Sequence, residues 1–143
     1  PLRSPSAVRP WQHVLEPLGG YLLLGQRLLE GDAAAASAWN FGPETADALT
    51  VGEVAALMNR FWPRVGFRFA PPADAPHETK LLRLDCTKAA RDLGWRGVWN
   101  AEECMRRTAG WYRGYYDSGR INTAADLEAY VADAARKGLS WTN

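Results

Sequence analysis

Apolar and polar residues alternate along this chain with two different periods. Most of the chain follows the helical period of three to four residues. Five stretches with this pattern are predicted as helices: residues 16–31, 50–62, 85–94, 100–118 and 123–137. Glycine lies at or just after the end of four of them, and proline follows the other, as helix ends commonly require. The chain is therefore expected to contain about five helices.

Four shorter stretches show the alternation of two, or the flanking turn residues, that mark strands. They are residues 8–14, 38–42, 66–69 and 81–84. Strands and helices thus alternate, which favours the α/β class. Four short strands make a poor sheet for a domain on its own. Some of them are therefore expected to complete a sheet whose other strands lie outside this chain.

Composition and charge narrow the possible partners. The chain has 143 residues, one domain by length, with 17 basic and 16 acidic residues and a formal charge of +1. This balance argues against a nucleic-acid or membrane partner. No initiating methionine or signal-peptide pattern is present, so the chain is expected to be part of a longer protein. Cys86 and Cys104 lack metal-ligand spacing, and they are expected to be free thiols of an intracellular, cytoplasmic protein without a metal site.

The segment at residues 9–13 carries the most suggestive side chains. If it is a strand, Arg9, Trp11 and His13 share one face and Gln12 points to the other. A guanidinium beside an aromatic ring and an imidazole suits a negatively charged ligand that carries a ring. The alternative is an edge strand with a solvated arginine and a packed tryptophan. Residue types alone leave both open.

Several motifs resemble the C-terminal part of the extended short-chain dehydrogenase/reductase superfamily, and more narrowly its CDP-glucose 4,6-dehydratase family. The narrowest is Arg-Pro-Trp-Gln-His-Val-Leu-Glu-Pro-Leu-Gly-Gly-Tyr at residues 9–21. The others are Trp-Asn-Phe-Gly-Pro at 39–43, Pro-His-Glu at 76–78, Leu-Asp-Cys-Thr-Lys-Ala at 84–89, Leu-Gly-Trp at 93–95, and Thr-x-x-Trp-Tyr at 108–112. The resemblance extends to about residue 116. The fold it implies is the substrate-binding portion of a Rossmann-type enzyme, without the N-terminal dinucleotide-binding sheet.

The resemblance also implies a reaction for the whole enzyme. Tightly held NAD oxidises the sugar of CDP-glucose at C4, water is lost across C5 and C6, and the hydride returns to C6. The product is CDP-4-keto-6-deoxyglucose, a precursor of the dideoxysugars of surface polysaccharide such as lipopolysaccharide O-antigen. The implied partners are a CDP-sugar, the N-terminal Rossmann portion and, as in related dehydratases, a second subunit.

Two motifs of such enzymes are absent from this chain. There is no GxxGxxG turn to receive the cofactor pyrophosphate, and no catalytic Tyr-x-x-x-Lys; the nearest spacing, Tyr116 to Arg120, ends in arginine. The chain alone is therefore expected to bind no NAD, to contain no catalytic residue and to be inactive. It corresponds to the substrate side of the enzyme.

Five residues are predicted substrate contacts by the resemblance. Arg9 matches an arginine that binds the substrate diphosphate, and Trp11 and His13 follow it. Asn40 is expected at a strand end near the nucleotide, and His77 in a loop that covers the nucleotide. The competing interpretations are a core tryptophan, a turn-stabilising asparagine and an ordinary loop histidine.

Residues 118–143 form a predicted helical extension to a family-like core at residues 1–117. Its apolar stripe is expected to pack on another domain or a second subunit: Leu127, Tyr130, Val131, Leu139 and Trp141. Two alternatives to the dehydratase remain open. One is a non-catalytic module that binds nucleotide sugars or protein partners. The other is the substrate domain of a different sugar-nucleotide epimerase or dehydratase.

Overall fold

The structure is a computed structural model that describes residues 1–70, 79–139 and 141. Its main elements are four α-helices: α1 (Leu15–Leu29), α2 (Val51–Phe61), α3 (Ala101–Ser118) and α4 (Thr123–Arg136). A π-helix at Ala89–Leu93 and two 3-10 turns, Ala33–Ala35 and Thr45–Asp47, join them. The prediction of about five helices is confirmed. None of the described helices is both long and apolar enough to cross a bilayer.

The sheet in the described residues is much smaller than the sequence pattern indicates. Strand β1 (Val8–Arg9) pairs antiparallel with β2 (Leu49–Thr50). Isolated parallel bridges join Leu2 to Phe69 and Val8 to Leu81, so the strands predicted at 66–69 and 81–84 are each reduced to one paired residue.

The other two strand predictions are also wrong in extent. The strand predicted at residues 8–14 ends at Arg9, because the Trp11 amide turns back to the Arg9 carbonyl at 2.9 Å. Residues 38–42 form no strand, since no described strand lies beside them to accept their hydrogen bonds. Local alternation alone does not provide a pairing partner.

Side-chain caps begin α2 and α3 as their sequences predict. The Thr50 hydroxyl accepts from the Glu53 amide at 3.2 Å, and the Glu53 carboxylate accepts from the Thr50 amide at 2.7 Å. Asn100 Oδ1 accepts from the Glu103 amide at 2.9 Å. These bonds satisfy amides that a helix N-terminus leaves without partners.

The core consists of two clusters joined by α1 and residues 93–105. The first contains Val98, Trp99, Met105 and Tyr130, and the second contains Leu23, Phe41, Leu93 and Trp95. Gly20 of α1 lies directly on the Phe41 ring, because a Cβ at Gly20 would be 2.4 Å from ring carbon Cδ1. Helix α1 is thus held close to the segment that leads to Pro43.

Helix α4 packs on its own chain, which corrects the expectation that its apolar stripe faces another domain or subunit. Tyr130 is 3% exposed, and Trp141 stacks on it with ring centroids 5.8 Å apart. Leu127 and Val131 remain on the surface, 50% and 46% exposed. A polar contact also holds α4 against the chain, because Asp133 of α4 accepts from the buried indole of Trp99 at 2.7 Å.

Candidate functional site

The backbone directs the side chains of residues 9–13 to three different cavities. Arg9 borders a narrow crevice, Trp11 a cavity of about 180 Å³, and His13 a cavity of about 450 Å³. The cavities adjoin, because Gln12 lines the last two and Pro43 lines the first two. The prediction that Arg9, Trp11 and His13 share one face is therefore wrong.

The crevice at Arg9 opens beside a wider groove of about 530 Å³, lined by residues 42–45, 83–87, 90 and 95–97. We call this the arginine groove. Pro43, Glu44 and Arg83 line both the groove and the crevice. Arg83 and Arg96 reach the groove from two different segments, and both are exposed. Neither guanidinium has a hydrogen bond or an ion pair with a described residue.

Arg9 is held in place by the backbone around it. Its Nη1 donates to the Val8 carbonyl at 2.8 Å and to the Thr79 carbonyl at 3.0 Å. These bonds fix the orientation of the guanidinium at the crevice. Arg9, Arg83 and Arg96 thus bring positive charge to two adjoining depressions.

Two carboxylates also line the arginine groove, those of Glu44 and Asp85. The Thr87 amide donates to Asp85 Oδ1 at 2.9 Å, and the hydrogen bonds from Thr87 lower the pKa of Asp85. Asp85 therefore caps a helical turn, as its position before residues 87–93 predicts. Taken over the groove and the adjoining crevice together, three guanidiniums against two carboxylates leave a positive excess, which suits a phosphate-bearing ligand.

Asn40 lies at the edge of this groove. Its Nδ2 donates to the Asp85 carbonyl at 3.2 Å, so it links residues 38–42 to the segment that carries Arg83. A Cβ at Gly42 would be 2.9 Å from a Leu84 methyl group, which shows how closely the two segments approach. The contact agrees with the interpretation of Asn40 as a structural residue, although the residue as a whole is exposed.

Trp11 faces the core more than it faces the arginine groove. It packs against the cluster that contains Val98 and Trp99. Its indole Nε1 is buried without a partner among the described residues, as is Gln12 Oε1. The Gln12 amide nitrogen donates to the Phe41 carbonyl at 3.0 Å. The indole therefore acts first as a packing group.

His13 is buried at the start of α1, with 7% of its surface exposed. Its Nδ1 accepts from the Leu15 amide at 3.3 Å, and its ring meets Trp99 edge-on with centroids 5.0 Å apart. Burial lowers the pKa of His13, a nearby Asp126 carboxylate opposes this, and Arg107 reinforces it. The ring is consequently neutral at pH 7.

Glu16 is a buried carboxylate that the sequence patterns do not single out. It is 2% exposed and accepts from the Val98 and Trp99 amides at 2.9 and 2.8 Å and from the Tyr130 hydroxyl at 3.1 Å. Burial raises the pKa of Glu16, and these hydrogen bonds oppose that shift. The three bonds join α1, residues 98–99 and α4. The sign of a buried carboxylate in the sequence is that Glu16 stands among apolar residues at the start of a helix.

Arg83 and Arg96 are the candidate ligand contacts that sequence reasoning missed. Each is an isolated arginine in an irregular segment, and no local pattern indicates that the two meet at one groove. His77, a predicted contact, lies outside the described residues. Among the described residues there is no cluster of three or more histidine, cysteine, aspartate or glutamate side chains that could hold a metal ion.

No family model matches the chain. Comparison with curated proteins gives 40% identity over 114 residues to the CDP-glucose 4,6-dehydratase of Salmonella typhimurium, which is 80% of this chain and 32% of that protein. The bifunctional UDP-glucose 4-epimerase and UDP-xylose 4-epimerase 1 of Pisum sativum is 25% identical over 113 residues, 78% of this chain and 31% of that protein. A UDP-glucose 4-epimerase of the same plant matches equally.

The chain therefore spans about a third of the length of the curated relatives it matches. The likenesses indicate the nucleotide-sugar dehydratases and epimerases as its relatives. The helix-dominated fold with a two-stranded sheet matches a C-terminal portion of an extended short-chain dehydrogenase/reductase that lacks the Rossmann sheet, which confirms the predicted fold class. The predicted resemblance to the CDP-glucose 4,6-dehydratases is likewise confirmed, over four-fifths of the chain.

Proposed function

We propose that this chain is the substrate-binding part of a CDP-glucose 4,6-dehydratase and that its arginine groove receives the diphosphate of the CDP-sugar. The observation that carries the proposal is the arrangement of Arg9, Arg83 and Arg96 around two adjoining depressions. Guanidinium groups bind phosphate oxygens through paired, charge-assisted hydrogen bonds. Two of the three have no competing partner among the described residues.

Asn40 and His77 complete the proposed site at the nucleotide end. Asn40 is exposed and bonds through its Nδ2 to the carbonyl of Asp85, a groove residue, so its amide oxygen is the group proposed to accept from the nucleotide. His77 is retained from the sequence resemblance. Trp11 helps to fix the segment that begins with Arg9, because it packs against the core, whereas His13 lines the separate cavity of about 450 Å³.

The proposed parent reaction is the NAD-dependent conversion of CDP-glucose to CDP-4-keto-6-deoxyglucose. We expect the cofactor to be held outside this chain, because its sequence has no GxxGxxG turn to bring backbone amides to a pyrophosphate. Catalytic groups and the cofactor site are assigned to the part of the parent outside this chain. A second subunit is proposed by the same likeness.

Titration of the isotope-labelled chain with CDP, UDP and dTDP tests the proposal. Amide shifts are expected around residues 9, 40, 83 and 96. CDP should bind more tightly than UDP or dTDP, and its affinity should fall as salt is added. Arg83→Gln and Arg96→Gln should each weaken CDP binding about fivefold. Arg113→Gln is the matched control, an exposed arginine of α3 outside the groove.

Three results would count against the proposal. Absence of shifts at the arginine groove would remove the nucleotide site. Equal shifts with the three nucleotides would remove the cytidine preference, and larger shifts with UDP would favour a UDP-sugar substrate instead. An equal loss of affinity in Arg113→Gln would show that net charge, and not the groove, attracts the ligand.

A protein-interaction module is the second candidate, because α1 presents an uncovered apolar stripe. Leu22 and Leu29 are 77% and 92% exposed, and Leu18 and Tyr21 lie on the same side. Such a stripe is typical of a surface that contacts other protein. If this interpretation holds, the chain self-associates in sedimentation experiments and Leu22→Lys abolishes the association. A monomer at all concentrations would contradict it.

A further inference from the structure

The cavity between α1, α3 and α4 has no role in the proposed nucleotide site. Its volume is about 450 Å³, within the range of small-molecule sites. Trp111 and Tyr112 of α3 form an aromatic wall, and Val14 and Leu15 form an aliphatic one. We call it the α1–α3–α4 cavity.

A buried hydrogen-bond donor lines this cavity. His13 is more than nine-tenths buried, and its Nδ1 accepts from the Leu15 amide. The neutral ring therefore carries its proton on Nε2, and no described residue accepts that proton. Burial favours the neutral ring by lowering the pKa of His13. The fold thus fixes a donor and leaves it without a partner.

A carboxylate lines the same cavity. Asp126 is 9% exposed, and Arg107 lies 3.4 Å from its Oδ1 and balances its charge. Buried polar groups are stabilised by hydrogen-bond partners, so this acceptor and the unpartnered His13 donor favour a ligand that bonds to them.

The lining also determines the charge of the ligand. No lysine or arginine lines the cavity, so a phosphate or carboxylate would find no counter-charge there. Thr108 and Thr123 contribute hydroxyl groups, and Thr123 Oγ1 accepts from the Trp111 indole at 2.9 Å. The Thr123 hydroxyl proton is therefore left to donate elsewhere.

We propose that the α1–α3–α4 cavity binds an uncharged sugar ring. Its aromatic wall matches the apolar face of such a ring, and its polar groups come from three elements around the cavity. They include both donors and acceptors, as hydroxyl groups that radiate from a ring require. A flat base would present hydrogen-bonding groups along an edge instead. The proposal stands independently of the nucleotide site in the arginine groove.

Glucose titrated into the isotope-labelled 143-residue chain tests the proposal. Saturable amide shifts are expected at residues 12–15, 108–112 and 123–126. Tyr112→Ala should weaken glucose binding about fivefold through loss of the aromatic wall. Tyr115→Ala is the matched control, because both tyrosines belong to α3 and both are 46% exposed, while Tyr115 does not line the cavity. Thr108→Val, a substitution of equal shape, should also weaken binding.

Several outcomes would overturn the proposal: shifts that do not saturate, equal shifts with the open-chain polyol sorbitol, or an equal loss in Tyr112→Ala and Tyr115→Ala. CDP added at saturation distinguishes the two proposals. Unchanged glucose affinity together with CDP shifts at residues 83 and 96 supports both. CDP that competes for the cavity refutes an uncharged ligand, whereas glucose binding without any CDP binding refutes the nucleotide site alone.

Discussion

Removal of the Glu16 carboxylate should cost more stability than any other single truncation of an acidic side chain in the described fold. Glu16→Ala leaves the Val98 amide, the Trp99 amide and the Tyr130 hydroxyl without their acceptor. An unsatisfied buried donor costs about 1–3 kcal/mol, and water that enters the space left by the side chain recovers part of this. We expect a net loss of about 3–5 kcal/mol, against about 5–15 kcal/mol for a typical domain.

Glu16→Gln separates hydrogen bonding from size. In the wild type the Trp99 amide binds Oε1 and the Val98 amide binds Oε2, so each oxygen is an acceptor. An amide –NH₂ group at either position faces a donor. The expected cost is about 1–3 kcal/mol, since one buried donor remains unpaired. Tyr130→Phe removes the third partner and should cost about 1 kcal/mol by the same reasoning.

Urea unfolding followed by circular dichroism and tryptophan fluorescence measures these changes. Glu30→Ala is the control, because Glu30 comes directly after the same helix and forms only a surface ion pair with Arg27. The Glu30 side chain is 50% exposed. It should change the free energy of unfolding by less than about 1 kcal/mol. The reasoning is refuted if Glu16→Ala costs no more than Glu30→Ala, or if Glu16→Gln is as costly as Glu16→Ala.

Three further substitutions test other features of the fold. Gly20→Ala should destabilise by about 1–3 kcal/mol, because its Cβ would overlap the Phe41 ring, while Gly25→Ala in the same helix, with no atom within 4 Å, should be neutral or stabilising in the same urea assay. Thr50→Ala should lose about 1 kcal/mol with the capping box, measured by thermal unfolding; no loss would exclude a contribution from the cap. Burial lowers the pKa of His13 below the ordinary value of 6.5, so the unfolded state binds the proton more readily. The stabilising contribution of neutral His13 is therefore present above pH 6.5 and is lost as pH falls through the lowered pKa. The stability difference between about pH 7.5 and pH 5.5 should therefore shrink in His13→Gln, and an unchanged difference would show that other groups cause it.

Helices were predictable from this sequence because their determinants are local. The Thr50 and Glu53 capping box, the Asn100 cap and the glycine after α3 all lie where the predicted ends require them. The glycines that end the π-helix and α3 have positive φ values of 69°, which explains why glycine occupies both positions. Such signals act over a few residues, and packing in this chain does not override them.

Strands were less predictable, because a strand exists through its partner. Residues 38–42 have a strand-like composition but no strand beside them in the described residues, and their polar groups bond to side chains such as Gln12. Residues 10–13 leave the sheet after two pairs of residues because Trp11 and His13 pack into the core. Burial of two rings outweighs the few hydrogen bonds of a longer edge strand.

The candidate site was only partly predictable for a similar reason. Arg9 and Asn40 were identified through a resemblance that spans them. Arg83 and Arg96 lie on opposite sides of the π-helix, and only its turn brings both to one groove. A single arginine in an irregular segment has no periodic or local signature. The spatial convergence of such residues is a property of the fold rather than of any motif.

The segment from Arg9 to Glu16 shows how one short stretch links ligand contact to stability. Arg9 borders the crevice beside the arginine groove, His13 lines the α1–α3–α4 cavity, and Glu16 is fixed by α4 through Tyr130. Since only six residues separate Arg9 from Glu16, a shift of the buried carboxylate must be absorbed within that stretch or passed to the guanidinium. Helix α4, which lies outside the sequence resemblance, therefore helps to position residues at both cavities, and the resemblance alone understates the part of the chain on which the binding surfaces depend.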